Sequence, residues 1–131
     1  MSPAATEPSQ DTMKYVYVVG TADTKGAELQ YVKALVVAAG APAVLVNVGT
    51  RTPQVAVDVA ASDVAACHPR GAQFVLGGED RGVAVAAMGE AFARYISPRD
   101  DIAGVIGLGG GGGTSIVTAG MRRPILPSLR R

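Results

Sequence analysis

Tyr15 to Val19 is an unbroken run of aromatic and β-branched residues that stops at Gly20. That length and composition predict a buried strand. Beyond it the apolar spacing changes to three and four, with Leu29, Val32, Val36 and Ala39 on one helical stripe and Leu35 widening it. Thr24 is placed to cap this helix and Glu28 puts negative charge near its start, while Gly40 and Pro42 predict where it stops. Ala43 to Val48 is then a second apolar run closed by Gly49. Strand, helix and strand follow at the length of a βαβ unit, and both strands are continuously apolar, as in a parallel sheet covered on both faces.

The middle of the chain carries weaker signals. Val55, Val57 and Val59 alternate as in an extended segment, although Thr52-Pro53 could equally open a helix. Ser62 is placed to cap a short helix over Asp63 to Cys67, and Phe74 to Gly78 reads as a strand stub or a loop. Asp80 is a second candidate cap. After it Ala84, Met88, Ala91, Phe92 and Tyr95 form one apolar helical face that ends at Ser97-Pro98. Gly104 to Leu108 is the third clear strand, followed by five glycines, Gly109 to Gly113, and then Thr114, which would open a short helix to about Arg122. Alternation of this kind predicts an α/β domain with right-handed crossovers and ligands at the C-terminal ends of the strands.

Composition narrows the functional classes. Twelve basic and eleven acidic side chains in 131 residues leave a net charge of +1, which argues against a nucleic-acid partner for the domain as a whole. One cysteine excludes an intrachain disulfide, and one histidine excludes a multi-histidine metal site. No apolar stretch is long enough to span a bilayer, so no membrane partner is expected and a cytoplasmic location is the default. Residues 1–12, rich in Ser, Pro, Ala and acidic side chains, read as a disordered leader to a single domain over 13–131. The 17 glycines stand apart from all this, at about twice the usual share of ~7%.

Two strand-to-helix turns could carry chemistry. In Gly107-Leu108-Gly109-Gly110-Gly111-Gly112-Gly113-Thr114-Ser115, consecutive glycines let the backbone approach a ligand and turn its N–H groups inward as an anion nest. A helix starting at Thr114 would add unpaired N–H groups and a positive dipole end. A flexible surface loop is the competing explanation of such a run. In Gly20-Thr21-Ala22-Asp23-Thr24-Lys25-Gly26, Lys25 could neutralise a phosphate and Asp23 could hold Mg2+ through water, although a solvated lysine at a capped helix start fits equally. The spacing is not that of a Walker P-loop, because Lys25 precedes the second glycine. Arg81, beside Asp80, could clamp a carboxylate or phosphate with its planar fork. Adjacent side chains seldom aim at one another, so Cys67-His68 is a poor nucleophile and base, and no G-x-S-x-G elbow is present.

Taken in order, Tyr17-Val18-Val19-Gly20-Thr21-Ala22-Asp23-Thr24-Lys25-Gly26, Val46-Asn47-Val48-Gly49, Asp80-Arg81-Gly82 with Ala84 and Met88, and Gly107 through Ser115 resemble one family. It is the N-terminal ATP-binding domain of the tomato mosaic virus resistance protein and its bacterial relatives, and the likeness runs from about Tyr15 to Arg122. The resemblance implies a Rossmann-like, three-layer domain, here expected to hold a parallel sheet of about four to five strands. It also implies ATP binding at Gly20, Thr21, Asp23, Thr24, Lys25, the glycines Gly109 to Gly113, Thr114 and Ser115; we expect Arg81 to join them and Mg2+ to accompany the nucleotide. Family members continue into a second α/β domain, so a homo-oligomer or a missing second domain is the expected protein partner. A non-catalytic interaction module is the alternative to nucleotide binding. An enzyme gripping a small phosphorylated or carboxylated metabolite through Arg81 and Lys25 is a third reading, without an evident general base.

Overall fold

β1 (Tyr15–Gly20) forms the centre of a parallel three-stranded sheet in the computed structural model, which describes residues 14–108. β2 (Ala43–Asn47) pairs with it on one side and β3 (Ile102–Leu108) on the other, giving the order β2-β1-β3. The four to five expected strands are three among the described residues. The alternating stretch at Val55 to Val59 touches the sheet only through an isolated parallel bridge between Val59 and Val46.

Alternate residues of the central strand feed two cores. Val18 faces α1 (Ala22–Ala38) and packs with Ala22, Leu29 and Leu45. Tyr17 and Val19 face the opposite side, where they join Val46, Val48, Met88, Phe92 and Ile96. The last three belong to α4 (Arg81–Ile96), which lies over that side with two five-residue helices, α2 (Ala61–Ala65) and α3 (Ala72–Leu76). A sheet with helices on both faces makes three layers, which explains why its strands carry no polar alternation. No helix among the described residues is long and apolar enough to cross a membrane.

Several local expectations are corrected. Thr21, not Thr24, occupies the cap position of α1, one residue before the helix, and Thr24 lies within its first turn. α2 begins after Ala60 with no side-chain cap from Ser62. Phe74 falls in α3, not in a strand or loop. Leu35 does not widen the buried stripe of α1, since it is 52% exposed beside Tyr31 at 66% and Val37 at 53%. The expectations that hold are the Asp80 cap, whose carboxylate accepts the Val83 N–H at 3.1 Å, and the stop at Gly40, whose φ of 98° suits glycine.

Two carboxylates tie the sheet to its surroundings. Asp58 accepts hydrogen bonds from Lys33 Nζ at 2.6 Å and from the Leu45 N–H at 2.8 Å. At the start of β3, Asp101 accepts from the buried Tyr17 hydroxyl and from Arg99, whose Nε–H also reaches the Tyr17 oxygen at 2.8 Å. Burial on its own would raise both carboxyls. The hydrogen bonds and the neighbouring cations outweigh it, so both lie below their usual range. A carboxyl whose folded pKa is depressed adds stability above its unfolded pKa of about 3.9 and loses it as pH falls through the folded value. The urea midpoint should therefore drop below about pH 4, and Asp58→Asn should flatten that drop. Parallel profiles for the two proteins would show that Asp58 does not contribute.

Candidate functional site

The connection from β1 through α1 leads to β2, and the chain returns past β1 to β3 along the opposite face. The strand order therefore reverses direction at β1, and the C-terminal ends of the strands around such a point are where open α/β sheets hold ligands. At this rim Gly20 stands in register with Asn47 of β2 and with Leu108 of β3.

Gly20 is buried, and a Cβ on it would lie 2.6 Å from the Leu108 carbonyl oxygen and 2.9 Å from Leu29 Cδ2. Only a residue without a side chain lets the two strand ends approach so closely. The Thr21 and Thr24 hydroxyls hydrogen-bond each other at 2.8 Å and lie toward solvent. Lys25 sits at a kink in α1, with φ −120° and ψ 25°, and no carboxylate pairs with its ammonium among the described residues. Asp23 turns toward the loop after β2. Its Oδ2 accepts the Arg51 N–H at 3.2 Å, while its Oδ1 is buried without a partner, against Gly49. Gly109 to Gly113, Thr114 and Ser115 lie outside the described residues.

Asn47, passed over as a site residue in the sequence, organises this rim. Its side chain is 2% exposed, and its Oδ1 accepts the Ala22 N–H at 3.0 Å and the Gly49 N–H at 2.8 Å. One amide oxygen thereby fixes both the start of α1 and the turn after β2. The signal available in the sequence was a lone polar residue at the end of an otherwise apolar strand.

Two cavities open beside that turn. One, of about 230 Å³, is lined by Asn47, Arg51 and Ser62 against apolar walls that include Val57, Ala60 and Leu76. The other, of about 210 Å³, runs from Thr50 and Arg51 to Glu79, Asp80 and Arg81 at the start of α4. Arg81 thus joins Arg51, while Thr21, Thr24 and Lys25 line neither space. Asp23 is the link between the two parts of the rim. Cys67 and His68 do not face each other. The thiol reaches the Asp63 carbonyl oxygen, and the imidazole Nδ1 accepts the Arg70 N–H at 3.0 Å. No group of three or more His, Cys, Asp or Glu side chains gathers to hold a metal among the described residues.

Residues 14–128 match the model of the uncharacterised protein family UPF0261, N-terminal domain. Among curated proteins, the chain is 68% identical over 111 residues to a UPF0261 protein of Rhizobium meliloti, covering 85% of this chain and 28% of that protein. It is 60% identical over 110 residues to a UPF0261 protein of Mesorhizobium japonicum, covering 84% and 28%. A more distant similarity, 32% over 133 residues, is to the ToMV resistance protein Tm-1 of Solanum lycopersicum, covering 87% of this chain and 18% of that protein. The chain spans less than a third of the length of these relatives.

Proposed function

The chain belongs to the UPF0261 family, whose N-terminal domain it matches, and from that premise we propose that it binds a nucleotide, ATP with Mg2+, at the rim between β1 and β3. The observation that carries this reading is the register of Gly20 with Leu108. It starts the two glycine-bearing turns side by side, although they lie far apart in the sequence.

In this reading the backbone N–H groups of Gly109 to Gly113, with Thr114 and Ser115, hold phosphate oxygens, and Lys25 supplies the balancing charge. Mg2+ keeps most of its waters and takes few protein ligands, and when bound it would offset phosphate charge. The exposed Thr21 and Thr24 hydroxyls fit the role of holding its waters. Asp23 does not, because one carboxylate oxygen is engaged by Arg51 and the other is buried against Gly49. Asp23 serves as a brace between the two turns.

Isothermal titration with ATP and MgCl2 tests the reading. Gly111→Val and Lys25→Met should each weaken binding about tenfold or more, the loss expected for a charge-assisted contact. Equal affinity in all three proteins would remove both groups from the site.

The outward face of α1 favours a second reading, an interaction module, because Tyr31, Leu35 and Val37 present apolar surface to solvent. Sedimentation over a range of concentrations separates the two. A monomer that binds ATP sustains the first reading, and a tight oligomer with no ATP affinity sustains the second.

A further inference from the structure

The chain between β2 and the Val59 bridge crosses over the start of α1. Across 50–58 no residue is buried, and 51–54 are exposed. The crossing is anchored at both ends. Behind it the Gly49 N–H donates to Asn47 Oδ1, and ahead of it Val57 packs on the core of Val18, Ala22, Leu29 and Leu45. Between the anchors its contacts go to the first turn of α1. The Arg51 N–H donates to Asp23 Oδ2 at 3.2 Å, the Gln54 N–H donates to the Ala22 oxygen at 2.9 Å, and Gln54 and Val55 lie against Gly26.

Each contact is compromised. The Arg51 bond is at the long end of the usual range, and its acceptor carries a defect, because Asp23 Oδ1 is buried against Gly49 with no partner among the described residues. The closed arrangement keeps water from a carboxylate oxygen and offers no donor in return, whereas an open one hydrates it. The Gln54 bond falls at the kink. Lys25, with φ −120° and ψ 25°, lies between Ala22 and Gly26, the pair that a straight helix would join. The Gly26 contact is close, since a Cβ there would stand 3.1 Å from Gln54 Cβ and 3.2 Å from both Val55 methyl carbons. A segment with no buried side chain and few backbone hydrogen bonds opens at lower free energy than the sheet beneath it.

We propose that residues 50–55 are a strap that opens from the first turn of α1 while the sheet stays intact, that Asp23 is its latch, and that a ligand gripping this turn holds the strap closed. Opening does not depend on the nucleotide reading, and only the coupling rests on it. Thr21, Thr24 and Lys25 belong to the same turn as Ala22, Asp23 and Gly26. ATP bound there would fix the strap's attachment points in advance, so less order would remain to be imposed when it closes. By linkage, loosening the strap weakens ATP by the same factor.

Amide hydrogen exchange, with ATP titrated calorimetrically into the same proteins, provides the test. The Arg51 and Gln54 amides should exchange at least about 100-fold faster than the slowest amides of β1, and about 1 M urea should speed the β1 amides while leaving these two unchanged. Gly26→Ala should push the strap away and speed both amides at least about tenfold. Its thermal midpoint should hold or rise, because alanine favours a helix more than glycine does. Asp23→Asn keeps an acceptor for Arg51 and takes the charge off the unpaired oxygen, so it should slow both amides at least about threefold. Saturating ATP with MgCl2 should slow them in the original protein. Arg51 and Gln54 amides that match β1 in rate and in urea response overturn the strap, as does a Gly26→Ala protein with a lower midpoint and unchanged exchange at both positions. Unchanged or faster exchange in Asp23→Asn overturns the latch. ATP that binds without slowing either amide overturns the coupling. If no ATP binds, the nucleotide reading fails, and exchange in the free protein still decides the strap.

Discussion

Gly20→Ala should lower stability by about 3 kcal/mol, at the upper end of the usual cost of overpacking. The added methyl group would stand 2.6 Å from the Leu108 carbonyl oxygen, and no real Cβ contact is that short. Leu29 Cδ2, at 2.9 Å, can rotate away, but a backbone oxygen moves only if β3 moves with it. The strand ends must therefore separate at the rim. A thermal midpoint lower by about 10 °C or more follows for a domain of this size. Gly104→Ala is the control. Gly104 lies in the same pair of strands with nothing within 4 Å of its would-be Cβ, so its replacement should change stability by less than about 1 kcal/mol. Equal midpoints for Gly20→Ala and Gly104→Ala would show that β1 and β3 do not close at Gly20, and the nucleotide reading would lose its main support.

Asn47→Ala should cost a similar amount by a different route. Truncation leaves the Ala22 and Gly49 N–H groups without their acceptor at a buried position, and each orphaned donor costs about 1–3 kcal/mol. The total expected is about 3 kcal/mol. Asn47→Asp retains an acceptor but carries a charge into a buried position, so it should recover only part of it at neutral pH. Urea unfolding of the three proteins decides the matter. If alanine and aspartate behave alike, the two backbone bonds are not what Asn47 contributes to stability.

The main elements were legible because their signals are local. Tyr15 to Val19 and Ala43 to Val48 are unbroken apolar runs with glycine stops, and Asp80 precedes a face of Ala84, Met88, Ala91 and Phe92 that repeats at helical spacing. What misled was decided at a distance. α1 carries two apolar stripes, and spacing alone cannot tell which one meets the sheet. Leu29 meets it, while Tyr31 and Leu35 do not. The cap of α1 falls at Thr21, ahead of Thr24, where the Ala22 N–H is held by Asn47, twenty-five positions along the chain. α3 is too short for its periodicity to register, and its Val75 and Leu76 pack into the core beside α2 and α4.

At the candidate site, the glycine and lysine motifs were visible as text, whereas Arg51 and Asn47 were not. Their placement depends on where β2 ends relative to α3 and α4, which no local pattern encodes. Arg81 was found for its chemistry, and its companion turned out to be Arg51, not Lys25.

The segment around Val59 has a consequence for how the molecule can be enlarged. Asn47 donates its N–H to the Val59 oxygen, while the Leu45 oxygen accepts from Asp58 and Val59 and the Leu45 N–H goes to the Asp58 carboxylate. The outer margin of β2 thus has its polar groups already engaged, and a newcomer would find no ladder there to extend. Lateral growth of the sheet is thereby obstructed at the β2 flank, while β3 carries no such seal among the described residues.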